Sequence, residues 1–224
     1  MVQEQVTPWG RIEDRSSAVV EQPVRPVQVI VFDDFLAPDE LSALLDFTLE
    51  HEAAFAATSV TPSGWKKSVS APTYRRSRRL WDVGPHRAVI TDRITARLPE
   101  VCARLGREPL TFSDVEIELA ASNDGDFYRK HSDDRPVPVL GRILTFVYYF
   151  SREPKGFTGG ELRMHDSRLE NGRYVLTGGT QDIESRRNRI VFFEPWQLHE
   201  IVQVSCPSKQ FADSRFTLNG WLHK

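Results

Sequence analysis

Apolar positions divide the chain into two textures. Between residues 27 and 105 they fall mostly at helical spacing, and from residue 112 onward they recur every second residue. Val27 to Phe35 (VQVIVFDDF) reads as a first strand. Ala37-Pro38-Asp39-Glu40 then opens a helix, because proline suits a first turn and acids complement the positive end of the helix dipole. Leu41, Leu44, Leu45 and Leu49 give it an apolar stripe that core packing explains. A second helix is predicted over residues 87–105, with Val89, Ile90, Ile94, Leu98 and Val101 on one side. Pro99 is the point where it would kink or split.

In the second half, Val115, Ile117 and Leu119 alternate with acids. Asn123-Asp124-Gly125 is a strong turn signal, from which Phe127–Asp133 is expected to return as the partner strand. Further strands are predicted at Arg142–Phe150, Gly160–Met164, Arg173–Leu176, Asn188–Phe193, Glu200–Val204 and Arg215–His223, with Gly159-Gly160 and Gly178-Gly179 as punctuation. Two helices followed by about eight short strands predict an α+β, mainly β, fold: a double-stranded β-helix (jelly roll) with N-terminal helices supporting one face. Residues 1–25 lack periodicity and read as a flexible arm. Residues 26–224 read as one domain, with its jelly-roll core at about 112–223.

Charge and composition narrow the function classes. A formal net charge of −2 argues against a dedicated nucleic-acid binder, which needs a basic excess. The longest apolar run, Ile143–Phe150, is far short of the roughly 20 residues a membrane-spanning helix needs, so no membrane partner is expected. Two cysteines, Cys102 and Cys206, cannot form a disulfide framework or a closed cysteine zinc site, and read as packed thiols. Met1–Val6 shows no charged start before an apolar stretch, so the expected location is cytoplasmic. The polar segment 58–83 ends in Tyr74-Arg75-Arg76-Ser77-Arg78-Arg79. Its arginines either face an acidic partner or alternate along a solvated strand.

His131-Ser132-Asp133 is the one H-x-[DE] in the chain, although about one is expected by chance at this composition. On a strand, residues i and i+2 share a face, so His131 and Asp133 converge. His199, just after the turn Glu194-Pro195-Trp196, is the best third ligand. Two neutral imidazoles and a carboxylate on one face of an octahedron leave three positions open. That suits Fe(II) oxygenase chemistry with a bidentate cosubstrate and dioxygen. The other four histidines read as surface or packed residues. In the last strand, Arg215 and Thr217 share the face opposite Phe216 and Leu218. A buried arginine needs a partner, either an Asp or Glu of a neighbouring strand or a bound dicarboxylate, and the nearby triad favours the dicarboxylate.

Taken together, Tyr128-Arg129-Lys130-His131-Ser132-Asp133, Arg142–Phe150, Gly159-Gly160-Glu161-Leu162-Arg163 and the closing His199, Arg215 and Trp221 resemble the 2-oxoglutarate- and Fe(II)-dependent oxygenases. Within that superfamily the likeness is to the prolyl 4-hydroxylase-like branch. The resemblance implies that His131, Asp133 and His199 ligate iron. It implies too that Arg215 holds the distal carboxylate of 2-oxoglutarate, with Tyr149 and Thr217 assisting. Trp221 would line the pocket and Arg142 would sit near its mouth. Relatives often carry a tyrosine just ahead of the turn before the metal strand, where this chain has Ala120-Ala121-Ser122-Asn123. Tyr128 is an imperfect substitute, because three residues before His131 puts it on the opposite face unless a bulge intervenes.

The implied activity is hydroxylation of an unactivated C–H bond, consuming O2 and releasing succinate and CO2, with ascorbate as reductant. A retained Asp133 fits hydroxylation, since related halogenases leave that position without a carboxylate. The branch points to a prolyl or other peptidyl side chain, and Trp65, Lys66 and Lys67 of segment 58–83 would lie on a substrate-closing loop. A free amino acid or small metabolite is equally compatible. Two other classes stay open: a cupin-like metal enzyme that does not use 2-oxoglutarate, and a non-catalytic jelly-roll binding module.

Overall fold

The computed structural model describes residues 23–58, 72–134, 141–170 and 173–224. The expected arm, as far as residue 22, and Trp65, Lys66 and Lys67 lie outside these residues. The strands form two main antiparallel sheets. The larger runs in the order β1 (Val29–Phe32), β11 (Arg189–Phe193), β7 (Arg142–Phe150), β14 (Arg215–His223), β5 (Asp114–Ser122), β4 (Arg78–Leu80) and β2 (Ala56–Ala57). The smaller runs β10 (Arg173–Ile183), β9 (Leu162–Glu170), β12 (His199–Ile201), β6 (Phe127–His131) and β3 (Arg75–Arg76). A short pair joins β8 (Thr158–Gly159) to β13 (Val204–Ser205).

Strict alternation decides what each face of the larger sheet meets. Leu144, Phe146, Tyr148 and Phe150 of β7, with Phe216, Leu218 and Leu222 of β14, pack in one core cluster with two helices, α1 (Pro38–Glu50) and α2 (His86–Arg104). The helices contribute Leu41, Leu44, Ile90, Ile94, Leu98 and Val101. Full burial of each such side chain is worth about 1.5–3 kcal/mol, so this layer fixes the sheet's position. The opposite face carries Val147, Tyr149, Val191 and Phe193, packed on Leu162, Met164 and Ile183 of the smaller sheet. The candidate site lies between the sheets, on that second face.

Three local readings differ from the sequence expectation. Helix α2 runs unbroken through Pro99. A mid-helix proline costs about 3 kcal/mol, and the buried stripe Ile90, Ile94, Leu98 and Val101 on both sides of it outweighs that. Second, β6 does not pair with β5. Both edges of β5 are taken, by β14 and β4. The turn after Asn123, with Gly125 at φ +77, instead hands the chain to the smaller sheet, where β6 pairs with β12 and β3. Third, β9 and β10 are longer than predicted, and Gly178-Gly179 falls at a register break between Leu176 and Thr180 rather than at a strand end.

The arginine run is engaged within the chain. Arg75 and Arg79 both pair with Glu118, Arg76 with Asp126 and Arg78 with Glu52.

Candidate functional site

His131 ends β6 and His199 begins β12, and their Cα atoms are directly paired across the two strands. Asp133 follows two residues after His131. Its Oδ1 lies 3.9 Å from His131 Nε2 and its Oδ2 lies 3.7 Å from His199 Nε2. One potential ligand atom from each residue falls within 4.8 Å of the others, the compactness a single metal ion requires. Each imidazole donates Nδ1–H to a main-chain carbonyl, His131 to Arg129 at 2.7 Å and His199 to Gln197 at 2.8 Å. Such a bond selects the tautomer whose Nε2 lone pair is free for a metal. Burial, reinforced by the neighbouring His199, lowers the His131 pKa to about 3, so the ring is neutral. Burial alone would raise the Asp133 pKa, but the polar groups around the carboxyl, Arg142 among them, outweigh it and hold it below its usual range. Thr145 Oγ1 donates to Asp133 Oδ2 at 3.0 Å and fixes the carboxylate plane.

Next to this cluster the larger sheet buries a positive charge. Arg215 is only 2% exposed, and among the described residues no carboxylate lies within ion-pair distance of it. Its Nε donates to the Gly160 carbonyl at 2.8 Å, and its Cζ lies 5.1 Å from the centre of the Tyr149 ring. Arg215 Nη2, Tyr149 Oη and Thr217 Oγ1 are all buried without a hydrogen-bond partner. Three orphaned groups on adjacent strands, one charged, form a socket for an anion with several acceptor oxygens. Burial draws the Arg215 pKa down and pushes the Tyr149 hydroxyl up to about 12, so the phenol stays protonated and able to donate. Gly160 makes room: a Cβ there would stand 2.6 Å from Arg215 Cδ, on a backbone already at φ +72.

Trp221 and Arg142 stand on the same face, with the Arg142 Cζ 3.7 Å above the indole ring. Arg142 pairs with Glu116 at 2.8 Å. The Trp221 indole N–H is buried without a hydrogen-bond partner.

Tyr128 is where the strand alternation breaks. His199 and Ile201 are two residues apart, whereas their partners His131 and Tyr128 are three apart, so β6 carries a bulge. The bulge turns Tyr128 onto the metal face, its ring stacked on His131 at 3.6 Å between centroids and 22° between planes. Arg75 Cζ lies 4.7 Å from the centre of the Tyr128 ring, and its guanidinium reaches the buried Glu118. The roles of Thr145, Gln197, Glu118 and Arg75 have no motif in the sequence; only the two-residue spacing of Thr145 from Val147 and Tyr149 placed it on the site face.

Comparison with known proteins agrees with this geometry. Residues 117–223 match the profile of the 2OG-Fe(II) oxygenase superfamily. An uncharacterized PKHD-type hydroxylase of Synechocystis is 36% identical over 193 residues, covering 85% of this chain and 61% of that protein. The chain thus spans about three-fifths of that relative's length. Among solved structures, a Pseudomonas putida prolyl-4-hydroxylase superposes with a TM-score of 0.58 at 22% identity, covering 88% of this chain and 92% of that one. A Trichoplax adhaerens prolyl hydroxylase, solved with a hypoxia inducible factor oxygen degradation domain peptide, gives a TM-score of 0.63 at 16% identity, covering 87% and 83%. At those identities the structures establish the shared jelly-roll fold.

Proposed function

From the match of residues 117–223 to the 2OG-Fe(II) oxygenase superfamily, we propose that the chain is an Fe(II)- and 2-oxoglutarate-dependent dioxygenase that hydroxylates a C–H bond. The observation that carries the reading is the buried Arg215, with its unpartnered Nη2 beside the equally unpartnered Tyr149 and Thr217 hydroxyls. A cupin-like enzyme without a dicarboxylate cosubstrate would gain nothing from that arrangement and would bear its desolvation penalty.

His131, Asp133 and His199 would hold Fe(II): their donor set of two neutral imidazoles and one carboxylate suits that metal, and their Nε2 and Oδ atoms already converge. Arg215 would take the distal carboxylate of 2-oxoglutarate, with Thr217 and Tyr149 donating to its oxygens. When bound, the iron and 2-oxoglutarate supply the oxidising chemistry, in which O2 and a C–H bond are converted to an alcohol with release of succinate and CO2. The protein's own residues bind and orient. Thr145 holds the Asp133 carboxylate at its angle, and the two main-chain carbonyls hold the imidazole planes. The apolar layer of Val147, Val191 and Phe193 keeps water from the inner wall.

Tyr128, Arg142 and Trp221 would meet the substrate, which we take to be a prolyl or other peptidyl side chain. Support comes from the likeness to prolyl hydroxylases, one of them solved with a peptide. The domain would run from residue 26 to 224. The test is succinate formation by anaerobically purified protein given Fe(II), 2-oxoglutarate, O2 and ascorbate as reductant, with His131→Ala as control. Succinate that depends on His131 supports the proposal. Absence of both succinate and calorimetric 2-oxoglutarate binding in the presence of Mn(II) would overturn it.

A further inference from the structure

We propose that the turn Glu194–Gln197 is a positioning device for the metal centre, with Gln197 and Glu194 as its positioning residues. This rests on the reading that His131, Asp133 and His199 hold a metal. The turn links β11 to β12 and closes on itself through Gln197 N–H to the Glu194 carbonyl at 3.0 Å. Its own main chain then grips two ligands that arrive on different strands. The Pro195 carbonyl accepts the backbone N–H of Asp133 at 2.8 Å and of Asp134 at 3.0 Å. The Gln197 carbonyl accepts Nδ1–H of His199 at 2.8 Å. The height of the Asp133 peptide and the plane of the His199 ring are therefore set by one four-residue segment.

That segment is clamped from both ends. The Gln197 amide is 1% exposed and bonds twice to one main-chain residue, accepting from Gln28 N–H at 3.0 Å and donating to the Gln28 carbonyl at 2.6 Å. A buried amide matched to a backbone donor and acceptor has one orientation available, so it fixes the Gln197 peptide from which His199 hangs. At the other end, Glu194 Oε1 accepts from Arg107 Nη1 at 2.7 Å, and the same nitrogen donates to the Ile143 carbonyl at 2.9 Å. Arg107 stands just beyond α2 and Gln28 just before β1, so the helix layer and the first strand both reach the metal ligands through this turn. Metal ligation tolerates displacements of only a few tenths of an ångström, and partners of this kind typically contribute 10–100-fold to affinity.

The test uses the full chain and Mn(II) alone, titrated by the loss of the free-ion electron paramagnetic resonance signal. Gln197→Met keeps the side-chain length and removes both bonds to Gln28. Its Mn(II) dissociation constant should rise about tenfold or more. Arg107→Met, at a partly exposed ion pair, should raise it several-fold. Ile190→Val, in the helix-facing layer of the same strand β11, should leave it unchanged, which separates positioning from general loosening. Histidine-detected nitrogen NMR should show the His199 Nδ1–H tautomer in the wild type and a mixture in Gln197→Met. Wild-type Mn(II) affinity in a folded Gln197→Met variant overturns the proposal. If that variant does not fold, wild-type affinity in Arg107→Met overturns it. Absence of Mn(II) binding in the wild type would instead overturn the metal reading itself.

Discussion

Thr217 and Tyr149 are paired Cα to Cα across β14 and β7, and neither hydroxyl has a hydrogen-bond partner. Arg215 Nη2 beside them is in the same condition, so the three form one unsatisfied polar socket. Keeping a charge buried without a charged partner costs several kcal/mol of desolvation, which an apolar side chain of similar volume does not incur. Arg215→Met is therefore expected to raise the Tm of the ligand-free protein while abolishing 2-oxoglutarate binding. Arg215→Lys should retain weak binding, since an ammonium cannot form the two parallel bonds of a guanidinium. Calorimetric melts with and without 2-oxoglutarate check both; a lowered Tm in Arg215→Met would show that the arginine is satisfied internally.

Gly160→Ala puts a methyl 2.6 Å from Arg215 Cδ, on a left-handed backbone. A non-glycine residue there costs about 1–3 kcal/mol. The expected result is a modest fall in Tm and a 2-oxoglutarate dissociation constant raised at least tenfold, with Mn(II) affinity unchanged. Isothermal titrations with each ligand separate the two effects.

Thr145→Val removes the one hydroxyl bonded to Asp133 Oδ2 and keeps the side-chain shape. The carboxylate then loses its lateral restraint. Mn(II) binding should weaken about tenfold, while chemical denaturation shows a change near the 1 kcal/mol of one hydrogen bond. Equal Mn(II) affinity in both proteins would remove Thr145 from the site's supporting set.

His131 gives the pH dependence of the metal-free fold. Its ring stays neutral in the folded state down to about pH 3, whereas in the unfolded chain it takes up a proton near its ordinary value of 6.5. Between those values the unfolded state binds more protons, so stability falls as pH falls from 6.5 toward 3. Urea unfolding at pH 7 and pH 5 should show a larger loss in the wild type than in His131→Gln. Parallel losses would mean that other groups set the acid limit.

From Leu144 onward β7, like β14, was legible, because each alternates between helix-facing and site-facing residues; at the start of β7 a register shift between Arg142 and Leu144 breaks that parity and brings Arg142 onto the Trp221 face. Arg215 and Thr217 follow from that parity; Tyr149 and Trp221 come from the family resemblance, with which the parity of their strands agrees. The sequence could not show that β5 and β6 belong to different sheets. Asn123-Asp124-Gly125 is as good a turn for a crossing as for a hairpin, and the choice was made by β14 and β4 occupying both edges of β5. Tyr128 hinged on a bulge, which leaves no mark in the period of a five-residue strand. Gln197 was invisible for another reason: its partner is a main-chain amide 169 positions away, and any residue's backbone would look the same.

The two faces of β14 are committed to different tasks at every position, with Phe216 and Leu218 against the helices and Arg215 and Thr217 in the socket. Inserting or deleting one residue in the strand would exchange them, sending a guanidinium into the leucine layer and a phenyl ring toward the metal ligands. The strand is therefore open to change by substitution but closed to change in length. Length can vary only in the turns that join such strands, which is where new substrate contacts would have to be added.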